Sequence, residues 1–567
     1  MSVMHEETDY ASHFLHDNLD KLADECVDFY RRTSDREDPE VYKRRNQLGT
    51  FVRKFHEECG TLTQDVLEAV RKLEDGSCLL LMTAHQPNLF AYGGVLRKAT
   101  LNQVLENKLS NGLKIPVVNF FGIADQDFTD DRWVRSALLP DVQRREGYLD
   151  LRFDMPKKVM LNKIPKPSRE LLDAWRAEIE KWMNTKARTV ERDLGSFGIP
   201  FVNQGKRLTE NFEDFWNVVE DAYERAEKYA DFNAFVMSWI INRVWGYGTL
   251  FARFSECQQV FEKEFCFLLS EFDDYSRCVK EATVQETNSE AGVCEQEFET
   301  APFWYHCSCG SKARLNVGLT DGHLVGKGHC IRCNEEYQLD FGSESDPMIS
   351  EIASTISARS ISMPIVFFQG LKVGCYVGGA GGTVYLKQAQ YVSERLRTLF
   401  PPVAVWRPKD SYPGIGQLEA LLVFKGISGT FDLSRFPEVA DSLRERIAKV
   451  QNEVEELEQE KVRVCKGSFG RKEEQAQNLK VLSAKQGELR RKADFSLMMR
   501  NLGLLENVNA ALKLHPCIID YAVNVGLKKT SEQWIDFLQK NGSLLSNVAL
   551  RAVFSDVEAC IKSGVGG

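Results

Sequence analysis

The sequence has no apolar run close to the roughly 18 residues that a membrane-spanning helix needs. The stretch 1–10 is acidic and lacks the basic and apolar pattern of a secretory signal. Internal repeats and low-complexity tracts are absent as well. These absences predict a soluble, cytoplasmic protein without a membrane partner. At about 150 residues per domain, the 567 residues hold three or four ordinary globular domains.

The chain also lacks an excess of positive charge. Its formal net charge is -10 and 43% of its residues are hydrophobic, which argues against a surface that binds a polyanion over the whole protein. Nucleic acid is therefore not an expected partner. Fifteen cysteines are an odd number spread over a long chain. This pattern favours reduced thiols and a metal site over a disulfide framework.

Four of the cysteines form two close pairs. Cys307 and Cys309 are separated by 20 residues from Cys330 and Cys333. Four thiolates in two knuckles suit tetrahedral zinc, and they close its coordination shell, whereas catalytic zinc keeps one position open. We therefore expect a zinc ribbon with a structural role. Four free thiols on a loop are the alternative, and the histidines that precede Cys307 and Cys330 could compete as ligands.

The order of apolar and helical patterns predicts an α/β fold. Helical spacing comes first, around 19–30 and 51–73, and the first strong strand is the apolar run 78–82. Helices are also predicted over 171–192 and within 211–272. Later apolar runs are predicted as strands over 115–122, 364–369, 374–377 and 403–406. Such alternation is typical of a Rossmann-like core, in which helices cover a parallel sheet.

A predicted antiparallel coiled-coil hairpin follows this core. The first arm has apolar residues that step by three and four: Leu443, Ile447, Val450, Val454 and Leu457. The second arm keeps a similar step through Leu479, Leu482, Leu489 and Ala493, although Gln486 interrupts it. The turn is predicted at 467–470. A long apolar seam of this kind predicts a homodimer or another docking contact.

The predicted organisation has five parts. The segment 281–300 has six glutamates and no lysine or arginine, which is typical of a solvated linker. It separates the two parts of the core. The parts are 1–280, the first part of the Rossmann-like core with N-terminal helices; 296–345, the inserted zinc ribbon; 346–432, the second part of the core; 433–500, the coiled-coil hairpin; and 501–567, a C-terminal helical segment.

Polar or glycine-rich loops follow three of the predicted strands. In open α/β sheets, ligands bind at the carboxyl ends of the strands, so these loops could line one pocket. The candidate catalytic residues are His85, Asp125 and Asp127. The candidate residues for substrate or nucleotide binding are Gln86, Asn88, Gly93, Gly94, Lys98, Gly378, Gly379, Gly381, Gly382 and Arg407.

Each loop has a chemical interpretation and a plainer structural one. His85 could hold an oxyanion or move a proton, or it could be an ordinary histidine at the top of a sheet. Asp125 and Asp127 could hold a substrate amine or magnesium, while Asp130 suits a helix N-cap. The glycines of 378–383 could bind an anion through backbone N–H groups, or form only a tight turn. That loop lacks the Walker lysine and the spaced Rossmann fingerprint.

Taken in order, the segments 83–98, 122–128 and 376–381 and the hairpin resemble the bacillithiol synthase family. The resemblance implies a Rossmann-like core, a coiled-coil arm that forms a dimer, and a ligase that joins cysteine to glucosaminyl malate, with ATP as the simplest means of activation. The chain has Ala-His-Gln at 84–86 where the family has a Gly-Gln-Gln type sequence, and Gly-Ala-Gly at 379–381 where it has a Gly-Pro-Gly type loop. The four-cysteine insertion is also unusual for that family.

Two other classes of function are compatible with the sequence. The zinc ribbon and the hairpin could belong to a binding protein for RNA or a protein partner, with an inactive core. Acidic residues interleave with the basic ones of the hairpin, which weakens the RNA interpretation. A nucleotidyl or glycosyl transferase could use a similar core, and it would turn over nucleotide without cysteine.

Overall fold

The computed structural model has a mixed α/β architecture. It describes residues 14, 16, 18–34, 38–113, 115–196, 201, 203–287, 299–406, 409–466, 472–491 and 493–556. The helices of these residues are α1 (Leu19–Ser34), α2 (Pro39–Cys59), α3 (Gln64–Glu74), α4 (Gly93–Leu113), α5 (Arg132–Arg135), α6 (Arg169–Ser196), α7 (Gln204–Arg225), α8 (Tyr229–Ser238), α9 (Phe254–Cys257), α10 (Glu262–Ser270), α11 (Phe272–Thr287), α12 (Ser362–Leu371), α13 (Thr383–Leu396), α14 (Ile415–Ser428), α15 (Phe436–Lys466), α16 (Lys472–Arg491), α17 (Ala493–Lys513), α18 (Ile518–Asn524) and α19 (Leu527–Asn541).

The strands form one parallel sheet, one larger antiparallel sheet and two small pairs. They are β1 (Leu79–His85), β2 (Val117–Ile123), β3 (Ser136–Pro140), β4 (Tyr148–Arg152), β5 (Leu250–Arg253), β6 (Phe303–His306), β7 (Lys312–Thr320), β8 (His323–Cys330), β9 (Glu336–Ser343), β10 (Asp346–Pro347), β11 (Ile356–Ala358), β12 (Val373–Gly378), β13 (Val403–Val405), β14 (Asp410–Ser411) and β15 (Val548–Ala549).

The parallel sheet has β1 at its centre, in the order β13-β12-β1-β2-β5. The chain extends the sheet on one side of β1 with β2 and β5, and later on the other side with β12 and β13. The strand order therefore reverses direction between β1 and β12. In doubly wound folds, ligands bind in the crevice at the carboxyl ends of the strands at such a switch point.

Helices cover both faces of this sheet. Side chains alternate along β1, so that Leu79 and Leu81 belong to one buried cluster, whereas Leu80 and Met82 belong to the other. The continuous apolar run of β1 is what a parallel strand needs when both of its faces are covered. The strand predicted at 78–82 is confirmed, and it continues as far as His85.

Two sequence predictions about this core are corrected. The run 364–369 is not a strand, because it lies within α12, a buried helix that carries Pro364 in its first turn. A short buried apolar run fits either a strand or a helix by periodicity alone. The stretch 211–272, predicted as helical, contains the short strand β5 at the edge of the sheet.

The inserted module forms a six-stranded antiparallel sheet in the order β10-β9-β8-β7-β6-β11. Its strands run from Phe303 to Ala358 and thus continue past residue 345. The linker predicted at 281–300 overlaps α11, which reaches Thr287, and its part 288–298 lies outside the described residues.

Two long helices, α15 and α16, pack against each other after the core. They are antiparallel, because Gln475 of α16 bonds to the Val464 carbonyl, whereas Gln486 contacts Val454 and Glu458 further back along α15. The predicted turn at 467–470 lies outside the described residues, and the coiled coil itself stays a prediction. Among the helices that the structure describes, none has the length and apolar character needed to span a membrane.

Candidate functional site

The end of β1 meets a buried lysine at the switch point of the sheet. β1 ends at His85, and Nζ of Lys98 on α4 donates a hydrogen bond to the Ala84 carbonyl oxygen over 3.1 Å. Lys98 also lies beside the loop after β12, since a Cβ atom placed on Gly379 would lie 3.4 Å from Nζ. The structure thus brings His85 and Lys98, from the segment after β1, together with Gly379 from the loop after β12.

Burial controls the charges at this point. Loss of hydration, together with the nearby charge of Lys98, lowers the pKa of His85 to about 3. Burial lowers the pKa of Lys98 to about 7. Nδ1 of His85 lies 2.9 Å from the Gln86 carbonyl oxygen, which can only accept a hydrogen bond. The imidazole is therefore neutral at pH 7, with its proton on Nδ1 and a lone pair on Nε2, whereas Lys98 changes its charge near neutral pH.

The glycine-rich loop after β12 leaves open space in front of α13. β12 ends at Gly378, and Ala380–Gly382 forms one turn of 3-10 helix before α13 begins. A Cβ atom placed on Gly381 or Gly382 would have no heavy atom within 4 Å. The first turn of α13 carries no acidic residue. Because the start of a helix favours negative charge, an anion can approach this loop from the side of Lys98.

Asp125 lies after β2 but is directed towards β5 rather than towards His85. Its carboxylate accepts hydrogen bonds from the Ser255 backbone N–H, over 2.9 Å, and from the Ser255 hydroxyl. Burial raises the pKa of Asp125 to about 6, while these bonds and Arg253 oppose the increase. Both carboxylate oxygens are thus engaged within the protein. Asp125 joins the ends of β2 and β5, and sequence analysis missed Ser255 because it did not predict β5.

Asp127 faces the inserted module. Burial raises the pKa of Asp127, and the positive charge of Lys312 opposes this increase. Lys312 is the first residue of β7, is only 3% exposed, and has its Nζ 4.9 Å from the centroid of the Phe128 ring. Sequence analysis missed Lys312, because nothing in an inserted segment indicates which of its residues will face the core.

Gln86, Asp130 and Asp131 have hydrogen-bond partners within the protein. Gln86 is hydrogen-bonded through Nε2 to Asp131 over 2.7 Å. Asp131 also caps α5, the role that the sequence had suggested for Asp130, whose carboxylate instead accepts from the Lys158 backbone N–H. Asn88 is buried, and within the described part of the chain its side-chain amide has no hydrogen-bond partner. Arg407 lies outside the described residues.

Tyrosine rings pack against the two glycines at the start of α4. A Cβ atom placed on Gly93 would lie 2.6 Å from the ring of Tyr521, and one on Gly94 would lie 2.6 Å from the ring of Tyr92. The tyrosine rings pack closely over both glycines, and Gly93 and Gly94 line a cavity together with these rings. The approach of a ligand to the backbone of these glycines stays a prediction.

A cavity of about 400 Å³ opens beside the amino end of α4. Its lining includes Tyr92, Tyr412 and Tyr521, with Arg97 and Asp410 paired over 3.3 Å. Tyr92 packs edge-on against the imidazole at the end of β1, with ring centroids 6.0 Å apart. The volume is within the range of small-molecule sites, about 300 to 1,000 Å³. Aromatic faces beside charged groups suit a polar small molecule.

The four predicted cysteines come together in the inserted module. The sulfur atoms of Cys307, Cys309, Cys330 and Cys333 all lie within 4.8 Å of one another. Backbone N–H groups at 309 and 332 point to the first sulfur of each pair, at 3.4 Å. This donor set could hold a metal such as zinc. Neither neighbouring histidine belongs to the group in the described residues.

No protein-family model matches the chain, and no curated protein matches it either. Fold and site therefore define its class: a mixed α/β protein with a parallel sheet of five strands and a four-cysteine group able to hold a metal.

Proposed function

We propose that the chain is an amide-forming ligase that adds cysteine, or a similar amino acid, to an amino-sugar acceptor such as glucosaminyl malate. The observation that carries the proposal is the meeting of His85, Lys98 and the 378–382 loop at the switch point of the parallel sheet. Ligands bind at this position in doubly wound folds. The adjoining cavity has the size and the polar, aromatic lining for an acceptor of this kind.

The chemistry requires an activated carboxyl group, since a carboxylate and an amine do not condense in water unaided. We propose ATP as the activating substrate, with its phosphates near Lys98 and the open backbone of Gly381 and Gly382. The cysteine carboxylate would attack ATP and form an acyl phosphate with loss of ADP, or an acyl adenylate with loss of pyrophosphate. The acceptor amine would then displace phosphate or AMP and release one proton. A bound anion would raise the pKa of Lys98 and keep it charged. Nε2 of His85 would accept a hydrogen bond from the attacking amine and orient it.

The residues proposed for magnesium do not fit that ion well. Ser255 occupies both carboxylate oxygens of Asp125, and the cation Lys312 faces Asp127. We therefore assign no step to a metal held by these carboxylates. Asp125 holds β5 in place, and Asp127 is the carboxylate that remains for contact with an amine.

The test is mass spectrometry of the zinc-loaded full chain incubated with ATP, magnesium, cysteine and glucosaminyl malate. The expected product is heavier than the acceptor by cysteine minus water, and it requires ATP. His85→Ala should reduce its formation by about 100-fold, as expected when a reacting group loses its orientation. His323→Ala is the matched control, because His323 is exposed on the inserted module. Absence of product with the folded wild-type chain would contradict the proposal.

We also propose that the α15–α16 hairpin forms a coiled coil that joins two copies of the chain. Val462 on α15 and Val481 on α16 are 45% and 58% exposed, which leaves apolar surface for a second copy. Light scattering coupled to gel filtration should give a dimer for the wild type and a monomer for Val481→Asp. A wild-type monomer would contradict this.

A further inference from the structure

The inserted module presents a buried lysine to the carboxyl edge of the core sheet. Lys312 pairs across β6 and β7 with His306, at the end of the module that carries the cysteines. It is 3% exposed, yet no described residue forms an ion pair or a hydrogen bond with its ammonium group. Asp127 and Asp125 act on it only over a longer distance. A buried ammonium without a direct counterion is costly.

The position of Lys312 is fixed by a continuous set of backbone hydrogen bonds. The Met160 N–H donates to the carbonyl of Gly310, in the first cysteine knuckle, over 2.9 Å. The next N–H groups, of Leu161 and Asn162, donate over 2.9 and 2.7 Å to the carbonyls of Asp127 and Asp125. The knuckle, the 160–162 segment and the carboxylate loop are therefore held together, and Lys312 lies close enough to Asp127 for their charges to interact.

Several basic groups act on Lys312 and His306. Lys312 and Lys163 both act on His306, and Arg359 acts on Lys312. The Nε2 atom of His306 is buried and has no partner among the described residues. Asp127 and Asp125 are the acidic groups that act on Lys312, and neither forms a direct ion pair with it. The ammonium group of Lys312 and a protonated Nε2 of His306 are donors complementary to an oxyanion.

We propose that Lys312, with Nε2 of His306, binds an acidic group of the substrate, a carboxylate or a phosphate, between the inserted module and the core. The four-cysteine module then supplies part of the substrate site and is more than a folding element. This inference deepens the proposed function and rests on it for the identity of the substrate. The oxyanion comes either from a carboxylate, such as the malyl part of the acceptor, or from a phosphate group, and the two titrations below distinguish these sources.

The experiment is calorimetric titration of the zinc-loaded full chain with malate and, separately, with inorganic phosphate. Lys312→Met should weaken the binding of at least one of them by about tenfold or more, since a charged hydrogen bond is lost. Lys312→Arg should retain most of the affinity. Lys327→Met is the matched control, because Lys327 is exposed on β8 of the same module. Zinc content is measured for every variant and should stay at the wild-type level.

The outcomes separate this inference from the proposed function. If Lys312→Met binds both anions like the wild type, the Lys312 subsite is wrong, and ligase activity in mass spectrometry would still support the function. If no ligase product forms but Lys312→Met loses anion binding, the anion subsite is supported and the ligase function is contradicted. A wild-type chain that binds neither anion contradicts the subsite. Should Lys312→Met fail to fold, Lys312→Gln replaces it under the same criteria.

Discussion

Gly93 shows how much a single side chain can matter at the candidate site. A Cβ atom there would lie 2.6 Å from the Tyr521 ring, whose hydroxyl donates to Asp410 over 2.8 Å in the wall of the cavity. Gly93→Ala should therefore destabilise the chain by about 1 to 3 kcal/mol through overpacking. Thermal unfolding measures this change. Gly112→Ala, on the same helix but with nothing within 4 Å, should be neutral or stabilise by up to about 1 kcal/mol.

The lowered pKa of Lys98 predicts that the stability of the chain depends on pH. This pKa is lowered by burial from 10.5 to about 7, so the unfolded chain binds the Lys98 proton more tightly than the folded chain does. The free-energy cost of burying the charged ammonium group is fully present below pH 7 and disappears as the pH rises towards 10.5. Between pH 7 and 9 this residue should add on the order of 2 kcal/mol to the free energy of unfolding.

Urea unfolding of the wild type and of Lys98→Met at pH 7 and pH 9 measures the contribution of Lys98 as a difference. The wild type should gain stability relative to the variant as the pH rises. Lys108→Met is the matched control, because Lys108 is exposed on the same helix and paired with Asp20. An equal gain in the wild type and in Lys98→Met would show that Lys98 keeps its ordinary pKa.

At the scale of elements, Gln486 places a polar group inside the seam between α15 and α16. It is 5% exposed, donates to Glu458 over 2.6 Å and accepts from Lys461. A buried polar residue in such a seam fixes register at a cost in stability. Gln486→Leu should therefore slow hydrogen exchange in α16 by about fivefold, which corresponds to about 1 kcal/mol. Gln477→Leu, on the exposed side of α16, is the control and should leave hydrogen exchange unchanged. Faster exchange in Gln486→Leu would show that Gln486 stabilises the helix pair.

The elements also show what sequence can and cannot predict. Strands β1, β2, β12 and β13 were predictable because each is a compact apolar run between polar or glycine-rich segments. β5 was missed because only four residues, Leu250–Arg253, form it within a long aromatic and charged stretch. α12 was mistaken for a strand because its short apolar run, 364–368, is buried.

The candidate site was predictable only in part, for a related reason. The positions of His85 and of the glycine loop follow from strand ends, which the sequence marks. The direction of a side chain after a strand does not follow from the sequence. The hydrogen bonds between Asp125 and Ser255 and the proximity of Asp127 to Lys312 were therefore found only in the structure. The four cysteines were predictable as a group, because two close pairs at this spacing suit a single metal ion.

At the scale of the whole molecule, the inserted module and the core should be coupled. A metal held by the four cysteines would support the Gly310 carbonyl, which accepts a hydrogen bond from the Met160 N–H, so chelation or Cys330→Ser should weaken this contact. Hydrogen exchange should then become at least about tenfold faster over 159–163 and 125–131, while α6 stays unchanged. Unchanged exchange in both segments, with the metal shown to be absent, would mean that the module and the core are independent.

The central place of β1 has a consequence for biosynthesis. β1 pairs with β12, which follows it by almost three hundred residues, with Leu80 next to Val373. At about 5 to 20 residues per second, a ribosome needs roughly 15 to 60 seconds to make the intervening chain. During that time one edge of β1 has no native neighbour, and an unpaired strand edge can pair with another nascent chain. Slow translation or high expression should therefore favour aggregation, and chaperones that shield this edge should increase the yield.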